Sequence, residues 1–370
     1  MALDTVGAAH PEPPQTVIPD TMRGAVLFGP RDMRVIDCPV PTPGVGEVLV
    51  KVAMCGTCGT DLKIYDGDFP LTLPYGAFTP GHEWTGSVVA VGESVDEVAP
   101  GDRVCIEVHH GCGRCDNCLK GKYTACLNYG NAAKGHRASG ITVNGGFAEY
   151  VVHHSSALYP MPGNVSFEDA VLLTTAGTGL YGLDAAGGYI LGQDVLVVGP
   201  GPVGLMTVQA CKQMGAGRVI LTGTRESRLA MGRQFGADIT INVREQDPLD
   251  AVMAATDGQG VDLAIECSGF PGAPQQCVEA TKRGGKVVYV AFYPGPITLD
   301  LNTVVRNDIH MVATRGEGGN NVKRAVALAT AGRLTGKELV THRLPLEEIT
   351  EGFRRLRERS GDPIKMVFVP

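Results

Sequence analysis

No run of lysine or arginine stands out in the sequence, and its 32 basic residues against 39 acidic ones leave a formal net charge of −7. Such a surface exerts no long-range pull on phosphate backbones or anionic bilayers, so neither nucleic acid nor membrane is expected as a partner. A spanning helix needs about 20 consecutive apolar residues. The most apolar segment, Val195 to Cys211, is broken by Gly199, Pro200, Gly201, Pro202 and Gly204. A secretory leader is not expected either, because the first twenty residues carry acids and prolines where an apolar core would stand. Residues 1–21 read as a loose arm of a cytoplasmic protein. Internal repeats and low-complexity linkers are missing as well. The 50 glycines and 24 prolines are about a fifth of the 370 residues, short of the roughly 25–30% that marks low complexity, which excludes disorder and collagen.

What the chain does have is glycine in excess, which implies many tight turns, and 11 cysteines. An odd count without an export signal argues against a disulfide framework and for metal ligation by some of them. Four fall in one short segment, Cys112, Cys115, Cys118 and Cys126.

From Met22 to about Val152 short β-rich runs alternate with turn signals, as in Val48 to Val52, Trp84 to Val91 and Phe147 to Val152. That rhythm predicts a compact antiparallel β domain. From about Asp194 it changes to apolar strands alternating with amphipathic helices: Val195 to Val198, a helix over Val203 to Met214, Val219 to Leu221, a helix over Glu226 to Phe235, then Val261 to Ile265 and Lys286 to Val290. This pattern predicts an α/β unit, a parallel sheet with helices on both faces. A helix over Asn321 to Ala331 and a β run over Ile364 to Val369 follow, the latter placed to return to the first domain.

The segment Gly199-Pro200-Gly201-Pro202-Val203-Gly204 sits between a buried strand and a helix, the context the G-x-G-x-x-G fingerprint requires. The first glycine makes the turn, the second admits a pyrophosphate, the third lets helix pack on strand, and the helix N-terminus supplies free N–H groups. A carboxylate at the end of the next strand would favour NAD by accepting the ribose 2′-OH and repelling a 2′-phosphate. Here Gly223 stands in that place, and Thr224, Arg225 and Arg228 follow. Two guanidinia suited to bidentate phosphate contact predict NADP over NAD. The alternative is that both arginines are solvated and Glu226 serves the ribose.

The spacing C-x2-C-x2-C-x7-C from Cys112 to Cys126 can close a tetrahedron of thiolates around Zn²⁺ with no open position, a structural site. Cys58, followed by Thr60, Asp61 and Lys63, and the pair His82-Glu83 offer sulfur, nitrogen and oxygen ligands of the mixed kind found where zinc keeps a position open for substrate.

In this order, Cys58-Gly59-Thr60-Asp61, Gly81-His82-Glu83, the four-cysteine segment, Gly145 to Tyr150 and the glycine turn resemble the zinc-containing medium-chain alcohol and polyol dehydrogenases, sorbitol-type and threonine dehydrogenases among them. The resemblance runs from about Met22 to Pro370. It implies a chaperonin-10-like catalytic domain of β-barrel character over residues 22–170 and 310–370, a Rossmann domain over 171–309, and homodimers or homotetramers. It further implies a catalytic zinc at Cys58 and His82, with Glu83 a ligand or near neighbour, that lowers the hydroxyl pKa of the alcohol. Hydride then passes to the nicotinamide. Thr60 would carry the proton outward, Ser268 and Gly269 would approach the nicotinamide half, and Lys365 would reach the pyrophosphate.

Two residues depart from the family pattern. Lys63 stands where a histidine often ends the proton relay, and a lysine relays poorly at neutral pH. Thr174 or Thr175 stands where relatives place a Glu or Cys near the catalytic zinc. Threonine is a poor zinc ligand, so Glu83 or water is expected to complete the sphere and this zinc to be the more labile of two per subunit. The substrate implied is a secondary alcohol of a polyol, sugar or cyclitol. The alternatives are a threonine 3-dehydrogenase-like amino alcohol and a non-catalytic cofactor-binding relative. Pocket residues are expected from the loops 65–78, 108–110 and 128–136, which hold His109, His110 and His136, while Cys38, Cys55, Cys105, Cys211, Cys267 and Cys277 are expected as free thiols.

Overall fold

In the computed structural model, residues 17–71 and 73–370 are described; most of the expected N-terminal arm, residues 1–16, lies outside them.

Val195, Leu196 and Val197 are all fully buried, as a strand covered by helices on both faces must be. Alternate residues of this strand, Asp194–Val198, serve different cores. Val195 and Val197 pack with Leu205, Val219, Leu221 and Leu263, whereas Leu196 and Val198 pack with Ile220, Ile241, Ala264 and Val287 on the other face. The six-stranded sheet runs Ile239–Asn242, Arg218–Gly223, Asp194–Val198, Val261–Glu266, Thr281–Tyr289, His310–Ala313, and its pairings are parallel. Strand order reverses between Asp194–Val198 and Val261–Glu266, so the crevice beyond their C-terminal ends is the place where such a sheet binds a ligand. The last strand, His310–Ala313, pairs with Thr281–Tyr289 and so lies beyond the expected boundary at residue 309, which had cut it off.

The second sheet is seven-stranded and centres on Glu47–Gly56, which pairs with Glu83–Val91, Tyr150–His154 and Lys365–Val369. The final strand therefore returns to the N-terminal domain, beside the segment of this second sheet that leads into Cys58. This sheet is mixed rather than wholly antiparallel, because Val340–Pro345 joins Lys365–Val369 in parallel. The helices over residues 202–213, 226–234 and 321–330 end one residue short of their expected limits. The core is continuous between the two sheets: Met54, Cys105, Val171 and Val367 belong to the same buried cluster as Val195 and Leu205. No helix among the described residues is long and apolar enough to cross a membrane.

Candidate functional site

Cys58 is the extended residue that caps the helix Gly59–Asp66. Its backbone N–H donates to Asp61 Oδ2 at 2.8 Å, three residues along. The other oxygen of Asp61, Oδ1, lies 3.2 Å from His82 Nδ1. One fully buried carboxylate therefore stands between Cys58 and His82, and because it faces Nδ1 it leaves Nε2 as the ring nitrogen available to a metal. His82 and Glu83 enter from Gly81, whose φ is +96°; a Cβ there would meet the Phe147 ring and backbone at 2.8 Å. Burial opposes the charge of His82, but the Asp61 carboxylate and the Cys58 thiol beside it raise its pKa well above the ordinary value.

Ligand atoms of Cys58, His82 and Glu83 all lie within 4.8 Å of one another. With Asp61 added, the group is rich in anionic donors of borderline and hard character, which a divalent cation balances, so the residues fit zinc. Glu83 is the most constrained of them. One carboxylate oxygen is ion-paired with Lys365 Nζ, and the other accepts from Thr175 Oγ1 at 3.0 Å. Lys365 Nζ also donates to the Thr57 carbonyl at 3.1 Å. Lys365 is 2% exposed, and the expectation that it reaches the pyrophosphate is thereby corrected: its ammonium is the buried counterion of Glu83. Thr174 Oγ1 donates to the Ile106 carbonyl at 2.6 Å, so of the two threonines it is Thr175 that bears on Glu83.

Thr60 is half-buried on the first turn of the Cys58 helix. Lys63, on the same helix, has its Nζ 5.7 Å from the centre of the Phe292 ring, which brings it against the segment that follows the strand Thr281–Tyr289 of the parallel sheet. Removing the negative charge of Asp61 tests the arrangement. Asp61→Asn is expected to weaken zinc affinity at the Cys58 and His82 pair by about 10–100-fold, measured by competition with a chromogenic chelator.

The four thiols of Cys112, Cys115, Cys118 and Cys126 also converge within 4.8 Å. Cys112 and Cys118 sulfurs are 4.0 Å apart and those of Cys115 and Cys126 3.9 Å. A tetrahedron with Zn–S bonds of about 2.3 Å has edges of about 3.8 Å, so these thiols fit zinc in nearly its final geometry. Donors are aimed at the sulfurs: Asn128 Nδ2 at 3.1 Å from Cys112, and the Leu127 and Asn128 amides at 3.4 and 3.3 Å from Cys115 and Cys126. The Arg114 backbone amide and the Asn128 side chain hold the Cys112 thiol well below its usual range. The six other cysteines are free thiols, and burial pushes Cys105 and Cys211 up to about 12.

At the crevice of the parallel sheet, Gly199 has φ +101°, and a Cβ on it would meet Ser268 Cβ at 2.7 Å. A Cβ on Gly201 would meet nothing within 4 Å, which leaves the open approach a pyrophosphate needs. The helix then starts with Pro202 in its first turn and runs through Val203 and Gly204. Ser268 thus borders the turn, and its hydroxyl is held by Glu266 Oε1 at 2.5 Å. Glu266 is fully buried and also accepts from the Gly269 amide at 3.1 Å and the Tyr293 hydroxyl at 2.6 Å. It orders the loop that borders the glycine turn, and no motif announced it.

Just after the strand Arg218–Gly223, Thr224 and Glu226 are exposed, and Glu226 is ion-paired with Arg233. Arg225 and Arg228 are both engaged by Asp362, a partner that sequence reasoning missed.

Of the expected loop histidines, His109 and His136 are buried, not solvated. His109 Nδ1 lies 3.7 Å from Glu317, and the Gly130 amide donates to His136 Nδ1 at 3.0 Å. Tyr129 packs on both rings, at centroid distances of 6.1 and 4.3 Å, with the Arg315 guanidinium 4.0 Å over its own ring. His110 instead stacks on His154 at 3.7 Å.

Two family descriptions match the chain, the alcohol dehydrogenase GroES-like domain over residues 44–163 and the zinc-binding dehydrogenase over residues 202–331. A sorbitol dehydrogenase of Bacillus subtilis is 32% identical over 360 residues, 95% of this chain and 98% of that protein. An L-threonine 3-dehydrogenase of Bacillus licheniformis is 34% identical over 335 residues, 90% of this chain and 94% of the relative. Among solved structures, a zinc-binding dehydrogenase from Sinorhizobium meliloti bound to NADP superposes with a TM-score of 0.86 at 28% identity, covering 95% of this chain and 99% of that one. The chain belongs to the zinc-type medium-chain dehydrogenases, with a GroES-like domain joined to a Rossmann-like one. It is a zinc-dependent NAD(P)-linked alcohol or polyol dehydrogenase, acting on CH–OH donors.

Proposed function

We propose that the protein interconverts a secondary alcohol, a polyol, sugar or cyclitol hydroxyl, and its ketone, with NADP preferred over NAD. The observation that carries the reading is the convergence of Cys58, His82 and Glu83 within 4.8 Å, at the sheet that borders the dinucleotide crevice. When bound, zinc supplies the Lewis acidity that makes the substrate hydroxyl acidic, and the nicotinamide accepts the hydride.

The protein's part is to hold and orient. Cys58 and His82 hold the metal, and Asp61 fixes the imidazole by its Nδ1 face. Glu83 stays near but is restrained by Lys365 and Thr175. Thr60 takes the hydroxyl proton outward and passes it to water at the cleft mouth, beside Lys63. Gly199, Gly201 and Gly204 with Pro202 and Val203 seat the pyrophosphate, Ser268 borders the nicotinamide half, and Arg225 and Arg228 with Thr224 face the 2′-phosphate. Cys112, Cys115, Cys118 and Cys126 hold a second, structural zinc.

Buried His109 and His136 support a polyhydroxylated substrate: His109 Nε2 and His136 Nε2 have no hydrogen-bond partner among the described residues. Threonine is the second reading, favoured by the 34% identity to a threonine dehydrogenase. A homodimer or homotetramer in the cytoplasm completes the proposal.

A panel of secondary alcohols, polyols, sugars and threonine, each with NAD and NADP, tests it by absorbance of the reduced cofactor. A polyol or sugar is expected to give the highest kcat/KM, with NADP the better acceptor. Threonine as the best substrate would replace the leading reading by the second.

A further inference from the structure

The arginines at the ribose end are held by a residue from the far end of the chain. Asp362 lies between the helix Ile349–Glu358 and the strand Lys365–Val369. Its Oδ1 is ion-paired with Arg225 and lies 3.4 Å from Arg228 Nη2, while Oδ2 accepts from Ser227 Oγ at 2.8 Å. Arg228 donates in addition to the Pro363 carbonyl at 2.6 Å. Two guanidinia and a hydroxyl at the end of one strand form a donor set matched to a phosphate. In this structure a carboxylate from the same chain satisfies it.

A second observation explains why the carboxylate comes from there. At Gly223, where an acid would distinguish NAD, a Cβ would meet Pro200 Cγ at 2.5 Å. The close approach of the glycine turn bars a side chain at that position, and the negative charge that faces the ribose end is supplied by residue 362 instead.

We propose that Asp362 is an internal counter-anion of the 2′-phosphate pocket and thereby sets how strongly the enzyme discriminates NADP from NAD. This rests on the reading that Arg225 and Arg228 receive the 2′-phosphate. An incoming 2′-phosphate must share these arginines with a like-charged group or displace it, whereas a 2′-hydroxyl meets no such repulsion. Displacement is sterically open, because the Asp362 side chain is 38% exposed. Asp362 has φ +49°, a conformation that asparagine tolerates as well as aspartate does. Asp362→Asn therefore removes the charge and keeps the backbone.

The test uses the zinc-loaded full chain and titration calorimetry with 2′,5′-ADP and 5′-AMP, which differ only in the 2′-phosphate. Asp362→Asn is expected to bind 2′,5′-ADP about tenfold tighter, about 1.4 kcal/mol, and 5′-AMP as the unmodified protein does. Asp362→Ser, a second removal of the charge, is expected to shift the same ligand in the same direction. Unchanged or weaker 2′,5′-ADP binding in both variants, with Arg225→Ala still losing 2′,5′-ADP selectively, overturns the role of Asp362 alone. If Arg225→Ala affects both ligands equally, the pocket reading falls and this proposal with it.

Discussion

Cys58→Ser is expected to lower kcat/KM for the alcohol by about three orders of magnitude, while NADP binding to the same variant stays unchanged. The size follows from losing a thiolate ligand: Lewis-acid stabilisation is worth several kcal/mol, and each 1.36 kcal/mol is tenfold in rate. A serine hydroxyl stays protonated and holds zinc poorly, so the metal at this site should fall in parallel. The cofactor affinity should be spared, because Gly199 to Gly204 and Ser268, proposed above to seat the dinucleotide, share no hydrogen bond with Cys58. Steady-state kinetics beside equilibrium NADP binding check both halves. Turnover unchanged in this variant removes the zinc mechanism, and binding lost together with turnover points to misfolding.

The second large effect concerns stability. Lys365→Met leaves the Glu83 carboxylate buried without its cation. Relative side-chain exposures of 2% for Lys365 and 6% for Glu83 put the pair in the regime where breaking one side costs about 3–5 kcal/mol. Denaturant unfolding should register the loss as a lower midpoint with the slope retained. Lys365→Met combined with Glu83→Gln should recover most of it, since both charges are then gone and the remaining amide can still accept from Thr175. A single variant as stable as the parent would show that the Glu83 charge finds another partner, and the account of Lys365 as its counterion would fail.

These residues also mark where the sequence was and was not readable. The four-cysteine segment and the glycine turn depend on residues close together in the chain, so their spacing alone carries the chemistry. The strand Asp194–Val198 was legible for the same local reason: burial on both faces demands an uninterrupted apolar run. Lys365 and Glu83 are 282 positions apart, and Arg225 and Asp362 are 137 apart. No periodicity encodes such pairings, and a terminal lysine beside a strand looks like any solvated one. Asp61 stood in view within the Cys58 motif, but its tie to His82 emerges only when the strand that begins at Glu83 lies next to Glu47–Gly56. The parallel entry of Val340–Pro345 was likewise hidden, because a strand's direction in a sheet leaves no mark in its own residues.

The burial of His109 and His136 left no signal in the sequence. Loop histidines are commonly solvated, yet here Tyr129, between them in the fold, covers both rings. Glu266 was equally silent, a lone acid at the end of an apolar strand whose value lies in the Ser268, Gly269 and Tyr293 donors gathered around it.

Metal content followed together with turnover under mild chelation tests the central claim most directly. The four-thiol cluster offers a closed, sulfur-rich site, whereas the proposed catalytic zinc would rest on Cys58 and His82 with a Glu83 already engaged by Lys365 and Thr175. One zinc per subunit should leave first, activity should disappear in proportion to it, and added Zn²⁺ should restore both while the second zinc stays bound throughout. Turnover that persists after the first zinc has gone, or two metals that leave together, would contradict the account.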